Sequence, residues 1–212
     1  MKITRFEHSA FVLTEAGNEL VVDPGGFTAP LPPFESVAGV FVSHSHPDHL
    51  SLDQLNAIRQ RNPRAPIFGS AQVAEEAASL APKTVRAGER ASAGPFRLEF
   101  VGSTHAEILS ALPRIENVGV LVNGVVFYPG DSFSAPPARV DVLVVPVAAP
   151  WLRIADLEEY VGLIKPRRIV PVHTGVLSEN GRLLTGRLVA QIAANAGAEL
   201  LELEPGESAE LN

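Results

Sequence analysis

"VFVSHSHPDHL", Val40 to Leu50, sets apolar or small residues beside a cluster in which His44, His46, Asp48 and His49 fall within six positions. The chain has six histidines, and three of them stand here. "GVFVSH" reads as a buried strand, because an unbroken apolar run suits a strand covered on both faces. Just beyond the cluster, Ser51 with Gln54 three residues on has the form of a capping box. Leu52, Leu55 and Ile58 follow it at helical spacing. The cluster therefore occupies a strand-to-helix loop. Histidines at i and i+2 on extended chain point the same way, and an Asp and a His soon after can converge on the same cavity. Neutral imidazole offers a lone pair and carboxylate adds charge, so the pattern suits a borderline divalent cation. A chance occurrence is expected in roughly one chain in several thousand of this length, which weighs against a merely solvated polar loop.

Outward from the cluster, the opening residues are strand-rich. "KITRFEH", "AFVLTE" and "ELVVDP" read as strands, with a turn at Ala16-Gly17-Asn18. The segment "FTAPLPPFES" (27–36) reads as a loop, since its clustered prolines deny a strand its donors. A short strand "PIFG", a helix "AQVAEEAASL" and strands near 83–86 and 95–102 come next. "VGVLV-NG-VVFYPGD" has the form of a hairpin, with Asn123-Gly124 suited to a type I′ turn and Asp131 delivered just past the second strand. "VDVLVVPV" (140–147) reads as another buried strand. Asp156 and Glu159 are expected to cap a helix with Leu157, Tyr160, Val161 and Ile164 on its apolar face, ended by Lys165-Pro166. "RIVPVH" ends on His173, a helix over Thr185 to Ala196 stops at Gly197, and "AELLELE" reads as the last strand. Strands first and alternating helices and strands later favour an α/β sandwich.

At 212 residues the chain is expected to form one domain, 1–212, with a full core. There is no cysteine, so a metal must be held by nitrogen and oxygen. The net charge of −7 offers no general attraction to nucleic acid. The N-terminus carries charges where a signal peptide is apolar, and no apolar run approaches the ~18 residues of a membrane span. The expectation is a cytoplasmic protein acting on a small molecule, without membrane association. The apolar loop 27–34 is a surface through which it could form a homo-oligomer.

The cluster resembles the signature of the metallo-β-lactamase superfamily, His-x-His-x-Asp-His at the end of a buried strand. Later pieces match in the family's order: "STHAEIL" supplies His105, "YPGDS" supplies Asp131 and "PVHTG" supplies His173. "HSAFVL", "VVDPGG" and the closing "PVH" are similar to the small hydrolase branch that includes ascorbate-phosphate lactonase-like proteins. The resemblance implies a four-layer αββα sandwich and two divalent metal ions. It gives His44, His46 and His105 to one ion, Asp48, His49 and His173 to the other, and Asp131 to both. Zn²⁺ is the first choice, and the all His/Asp set also accepts Mn²⁺ or Fe²⁺.

The activity implied is hydrolysis of an ester, lactone, thioester or phosphodiester of a small substrate, anionic substrates included, by a metal-activated hydroxide. Asp48 would orient that hydroxide, and His8 would bind substrate or shuttle a proton. Alternatives are a nuclease, a di-iron redox centre and a non-catalytic metal-binding module. The negative charge and the short span from Asp131 to His173 disfavour the first. His46, where flavin-coupled relatives carry Glu, disfavours the second, and the full ligand set disfavours the third. Asp23 is either a partner of a ligand histidine or a turn-starting residue. Trp151 is either a pocket wall or a cover for the core edge.

Overall fold

A computed structural model describes residues 1–211. The chain opens as a meander, β1 (Lys2–Arg5), β2 (Phe11–Glu15) and β3 (Asn18–Val22), and continues through β4 (Val37–Val42), α1 (Leu52–Arg61), β5 (Ile67–Gly69), α2 (Ala71–Glu76) and β6 (Lys83–Thr84). A second run follows: β7 (Arg90–Ala93), β8 (Phe96–Val101), β9 (Gly119–Val122), β10 (Val126–Tyr128), β11 (Val142–Pro146), α3 (Ile154–Ile164), β12 (Arg168–Val172), α4 (Glu179–Ala196), β13 (Glu199–Leu200) and β14 (Ser208–Glu210). These strands form two seven-stranded sheets, β14-β1-β2-β3-β4-β5-β6 and β13-β12-β11-β10-β9-β8-β7. In each, antiparallel pairs give way to parallel ones, at β3–β4 and at β10–β11.

Alternation along the strands builds the layers. Phe41 of β4 faces the core between the sheets, with Phe11, Phe100, Tyr128 and Val144, while Val40 and Val42 face outward onto Leu55 and Ile58 of α1 and Val73 of α2. On the other side Leu143 and Val145 of β11 pack against Leu157 and Val161 of α3 and Ile192 of α4. Both faces of each central strand are thus covered, which explains the unbroken apolar runs. The result is the four-layer αββα sandwich.

Local chemistry fixes most boundaries. Ser51, Ser70 and Ser178 cap α1, α2 and α4 by accepting from the backbone three residues on, and Gly197 at φ 68° closes α4. Gln54 completes no capping box. Its side chain instead reaches the carbonyls of Thr28 (3.1 Å) and Ala29 (3.2 Å) and accepts from Leu31 (3.0 Å), pinning the 27–34 loop. Leu31 and Phe34 pack inward there, leaving Phe27 exposed. The hairpin turns at Asn123 (φ 55°) and Gly124 (φ 72°), with Val125 N–H on Val122 O at 2.9 Å.

Several expectations are corrected. The N-cap of α3 is Arg153, and Asp156 in its first turn pairs with Arg153 instead of capping. Helix α4 starts at Glu179, six residues before Thr185, because Asn180-Gly181 hid its opening turn from the pattern. β7 and β14 were not anticipated, and "AELLELE" yields only the two residues of β13. β1 ends at Arg5, so His8 lies in the following turn and not on a strand.

Candidate metal centre

The loops leaving β3, β4, β8, β10 and β12 bring Asp23, the 44–49 cluster, His105, Asp131 and His173 to one edge of the sandwich. The ligand-type atoms of His44, His46 and His105 lie within 4.8 Å of one another, as do those of His8, Asp48, His49 and His173, and those of His44, His49 and Asp131. All seven residues expected to hold metal therefore meet, and His8 joins them.

The second nitrogen of each ring shows which atom faces the cavity. His49 Nδ1 lies 2.7 Å from Asp23 Oδ2, His105 Nδ1 2.6 Å from Ala106 O, and His173 Nδ1 2.6 Å from Ala148 O. Those partners are acceptors only, so each Nδ1 carries the proton. Ser43 Oγ donates to Asp23 Oδ2 at 2.6 Å, so the 3.0 Å contact of His44 Nδ1 with Ser43 Oγ places a proton on that nitrogen too. Four rings thus aim Nε2 inward. Of these, Nε2 of His49, His105 and His173, with Oδ1 of Asp131, is buried and without a hydrogen-bond partner. Such orphans are costly unless something else satisfies them.

The spacing fits a cation. Tetrahedral ligation at about 2.0–2.1 Å sets donor atoms about 3.3 Å apart. His44 Nε2 to His46 Nδ1 is 3.1 Å, His173 Nε2 to Asp131 Oδ2 3.1 Å and to Asp48 Oδ2 3.4 Å, His49 Nε2 to Asp131 Oδ1 3.4 Å, and His105 Nε2 to Asp131 Oδ2 3.5 Å. Nitrogen and carboxylate oxygen without sulfur suit zinc, manganese or iron.

Asp23 is both a partner and a turn residue. It is fully buried at φ 44° and accepts from Ser43 N (2.7 Å), Ser43 Oγ, His49 Nδ1 and Tyr128 Oη (2.7 Å). One carboxylate therefore orients His49 directly and His44 through Ser43. Trp151 does more than line a wall: its indole N–H donates to Asp131 Oδ2 at 2.9 Å. His8 is fully buried, its Nδ1 accepts from Gly175 N at 3.1 Å, and its Nε2 meets Asp48 Oδ2 at 2.9 Å. A backbone N–H only donates, so Nε2 holds the proton and His8 points at Asp48 rather than into the opening. His8 (φ 54°) and His173 (φ 64°) share the left-handed backbone of Asp23. Gly25 is obligatory for a different reason, because a Cβ there would lie 1.8 Å from Asp48 O.

Asn117, Ser43 and Tyr128 could not be singled out from the sequence pattern. Buried Asn117 accepts from Asp131 N at 3.0 Å and donates to Pro129 O at 2.8 Å, fixing the turn that carries Asp131. A lone buried amide leaves no periodic signal.

Charge is finely opposed here. Burial lowers His8, His44 and His46, with neighbouring histidines adding to it. Burial would also lower His49 and His173, but Asp131, Asp23 and Asp48 outweigh it for His49, and Asp131 and Asp48 raise His173 to about 10. Burial works to raise Asp48 and Asp131, and the surrounding histidines hold both below the carboxylate range instead. Burial and Asp23 keep Tyr128 a protonated donor. The inward Nε2 of His173 thus carries a proton wherever it does not carry a metal.

Residues 2–173 match the model of the β-lactamase superfamily domain. The chain belongs to this superfamily. Within it, the chain is 30% identical over 194 residues to protein Rv0786c of Mycobacterium tuberculosis, covering 89% of this chain and 91% of that protein. It is 27% identical over 238 residues to a UPF0173 metal-dependent hydrolase of Carboxydothermus hydrogenoformans, covering 98% of each. Solved structures share the fold: a metallo hydrolase of Ignicoccus hospitalis has TM-score 0.75 at 18% identity, covering 98% of this chain and 97% of that one. A metallo-β-lactamase fold protein of Bacillus subtilis has TM-score 0.73 at 16% identity, covering 98% of each. Among the described residues no helix is long and apolar enough to cross a membrane.

Proposed function

We propose that this chain is a metal-dependent hydrolase, with residues 1–212 acting as one catalytic domain on a small molecule. Two divalent cations, zinc before manganese or iron, would be held by His44, His46 and His105 on one side and Asp48, His49 and His173 on the other, with Asp131 shared. The observation that carries this reading is the set of buried, unpartnered Nε2 atoms facing Asp131 while their Nδ1 atoms are locked by acceptors. The name metal-dependent hydrolase borne by relatives from Carboxydothermus and Archaeoglobus supports it.

A bound cation pair supplies a Lewis acid for a carbonyl or phosphoryl oxygen and a water of lowered pKa. The protein's own groups do the rest. Asp48, whose side chain is 19% exposed against 4% for Asp131, reaches the opening and orients the attacking water, while His8 holds its Oδ2. Trp151 donates to Oδ2 of Asp131 and so fixes the orientation of the carboxylate that both groups of ligands would share. With no cysteine and no Gly-x-Ser-x-Gly elbow, direct attack by water needs no acyl-enzyme. The bond cleaved is an ester, lactone, thioester or phosphodiester.

The test is elemental analysis of the purified protein with a screen of chromogenic substrates of those four kinds before and after chelation. About two equivalents of metal and chelator-sensitive turnover are expected. A protein that takes up no metal, or that is inert when loaded, overturns the reading.

A further inference from the structure

The opening of the centre is apolar on both sides. On one side, a pocket is lined by His46 and His105 together with Ile108, Leu109 and Leu112 of the 106–115 loop. Leu109 is 60% exposed and Leu112 52%. On the other side Phe27 is 53% exposed with its ring 5.1 Å from that of His8, and Val176, 50% exposed, follows the Gly175 whose N–H binds His8. Large apolar side chains held in water around a reactive centre call for an occupant.

These positions are built, not incidental. Phe27 stands on the loop that Gln54 pins at Thr28 and Ala29, and Thr28 Oγ1 also donates to Glu7 O at 2.9 Å. A charged substrate would want a free cation beside the metals. Arg114, the one arginine lining the His46–His105 pocket, is paired with Glu107.

Resting on the hydrolase reading above, we infer that the substrate is an uncharged ester or lactone whose apolar acyl or alkyl group seats on Leu109 and Leu112. Its scissile carbonyl reaches inward between His46 and Asp48, and Phe27 and Val176 flank the far side.

The test uses the full chain loaded with zinc and a series of p-nitrophenyl esters from acetate to octanoate, with bis(p-nitrophenyl) phosphate as the anionic comparison. Burying a methylene favours binding about fourfold, so kcat/KM is expected to rise two- to fourfold per added carbon until the pocket is filled. The double variant Leu109→Ser/Leu112→Ser should flatten that series at unchanged metal content, since both side chains are exposed and support no core. A flat or falling series in the unaltered protein overturns the inference, as does a series equally steep in the variant or a phosphodiester that outruns every ester. Turnover without chain-length dependence refutes the apolar seat alone. A fully metal-loaded protein inert toward every probe refutes the hydrolase reading beneath it.

Discussion

Replacing Asp23 by Asn tests how the centre is held. Asn tolerates left-handed backbone as Asp does, so φ 44° is kept and only the carboxylate changes. Ser43 N–H at 2.7 Å demands an acceptor at Oδ1, which puts the new NH₂ where Oδ2 had met Ser43 Oγ, Tyr128 Oη and His49 Nδ1. The two hydroxyls can rotate to accept. His49 can accept only by surrendering its Nδ1 proton, which moves the hydrogen to Nε2, the atom aimed at Asp131 and Asp48. Losing one charge-assisted hydrogen bond in a buried site costs about 1.5–3 kcal/mol. Upsetting such an orienting partner weakens metal affinity about 10- to 100-fold. Zinc affinity by competition with a chromophoric chelator should fall by that factor, and ¹⁵N correlation spectra of the metal-free variant should show His49 protonated on Nε2 alone. A folded Asp23→Asn protein with zinc affinity within about threefold of the original would refute the tautomer argument.

Four further outcomes are expected. Gly25→Ala should cost more than about 3 kcal/mol in thermal unfolding, or prevent folding, because its Cβ falls 1.8 Å from a backbone oxygen that cannot retreat. Trp151→Phe should keep the metal stoichiometry but weaken retention about tenfold in chelator competition, by removing the 2.9 Å bond to Asp131. Zinc added at pH 8 should release protons, visible in calorimetry as a dependence on buffer ionisation heat, since His173 titrates near 10 without metal. In the metal-free protein the folded pKa of His173 lies above the unfolded value of about 6.5, so its contribution is full below pH 6.5 and lost as pH rises through about 10. Melting temperature of chelated protein should accordingly fall between pH 7 and 10, and a flat profile would contradict this.

The cluster and its strand-to-helix setting were legible because alternation, capping and ligand chemistry are all local. So was the delivery of Asp131 and His173 past buried strands. What was not legible depends on contacts across the chain. Asn117 matters only because Asp131 sits beside it, fourteen positions on, and Trp151 because its indole reaches the same carboxylate. β14 pairs with β1 at opposite ends of the sequence, as Ile3 opposite Ala209, and its short polar run carries no strand pattern of its own. His8 looked like a strand residue until the chain turned at Phe6, where the backbone bonds to Ala10 at 2.8 Å.

Three residues of the centre, His8, Asp23 and His173, keep side chains in a backbone region that glycine occupies without steric conflict. Each gives up about 1 kcal/mol of folding free energy by doing so. Glycine would relieve that strain, but at Asp23 it would strand four buried donors, and one charge-assisted bond there is alone worth about 1.5–3 kcal/mol, so selection for heat tolerance should leave these corners as they are. A library screened jointly for survival at temperature and for bound zinc would have to find its gains elsewhere, on the helices and the outer strands.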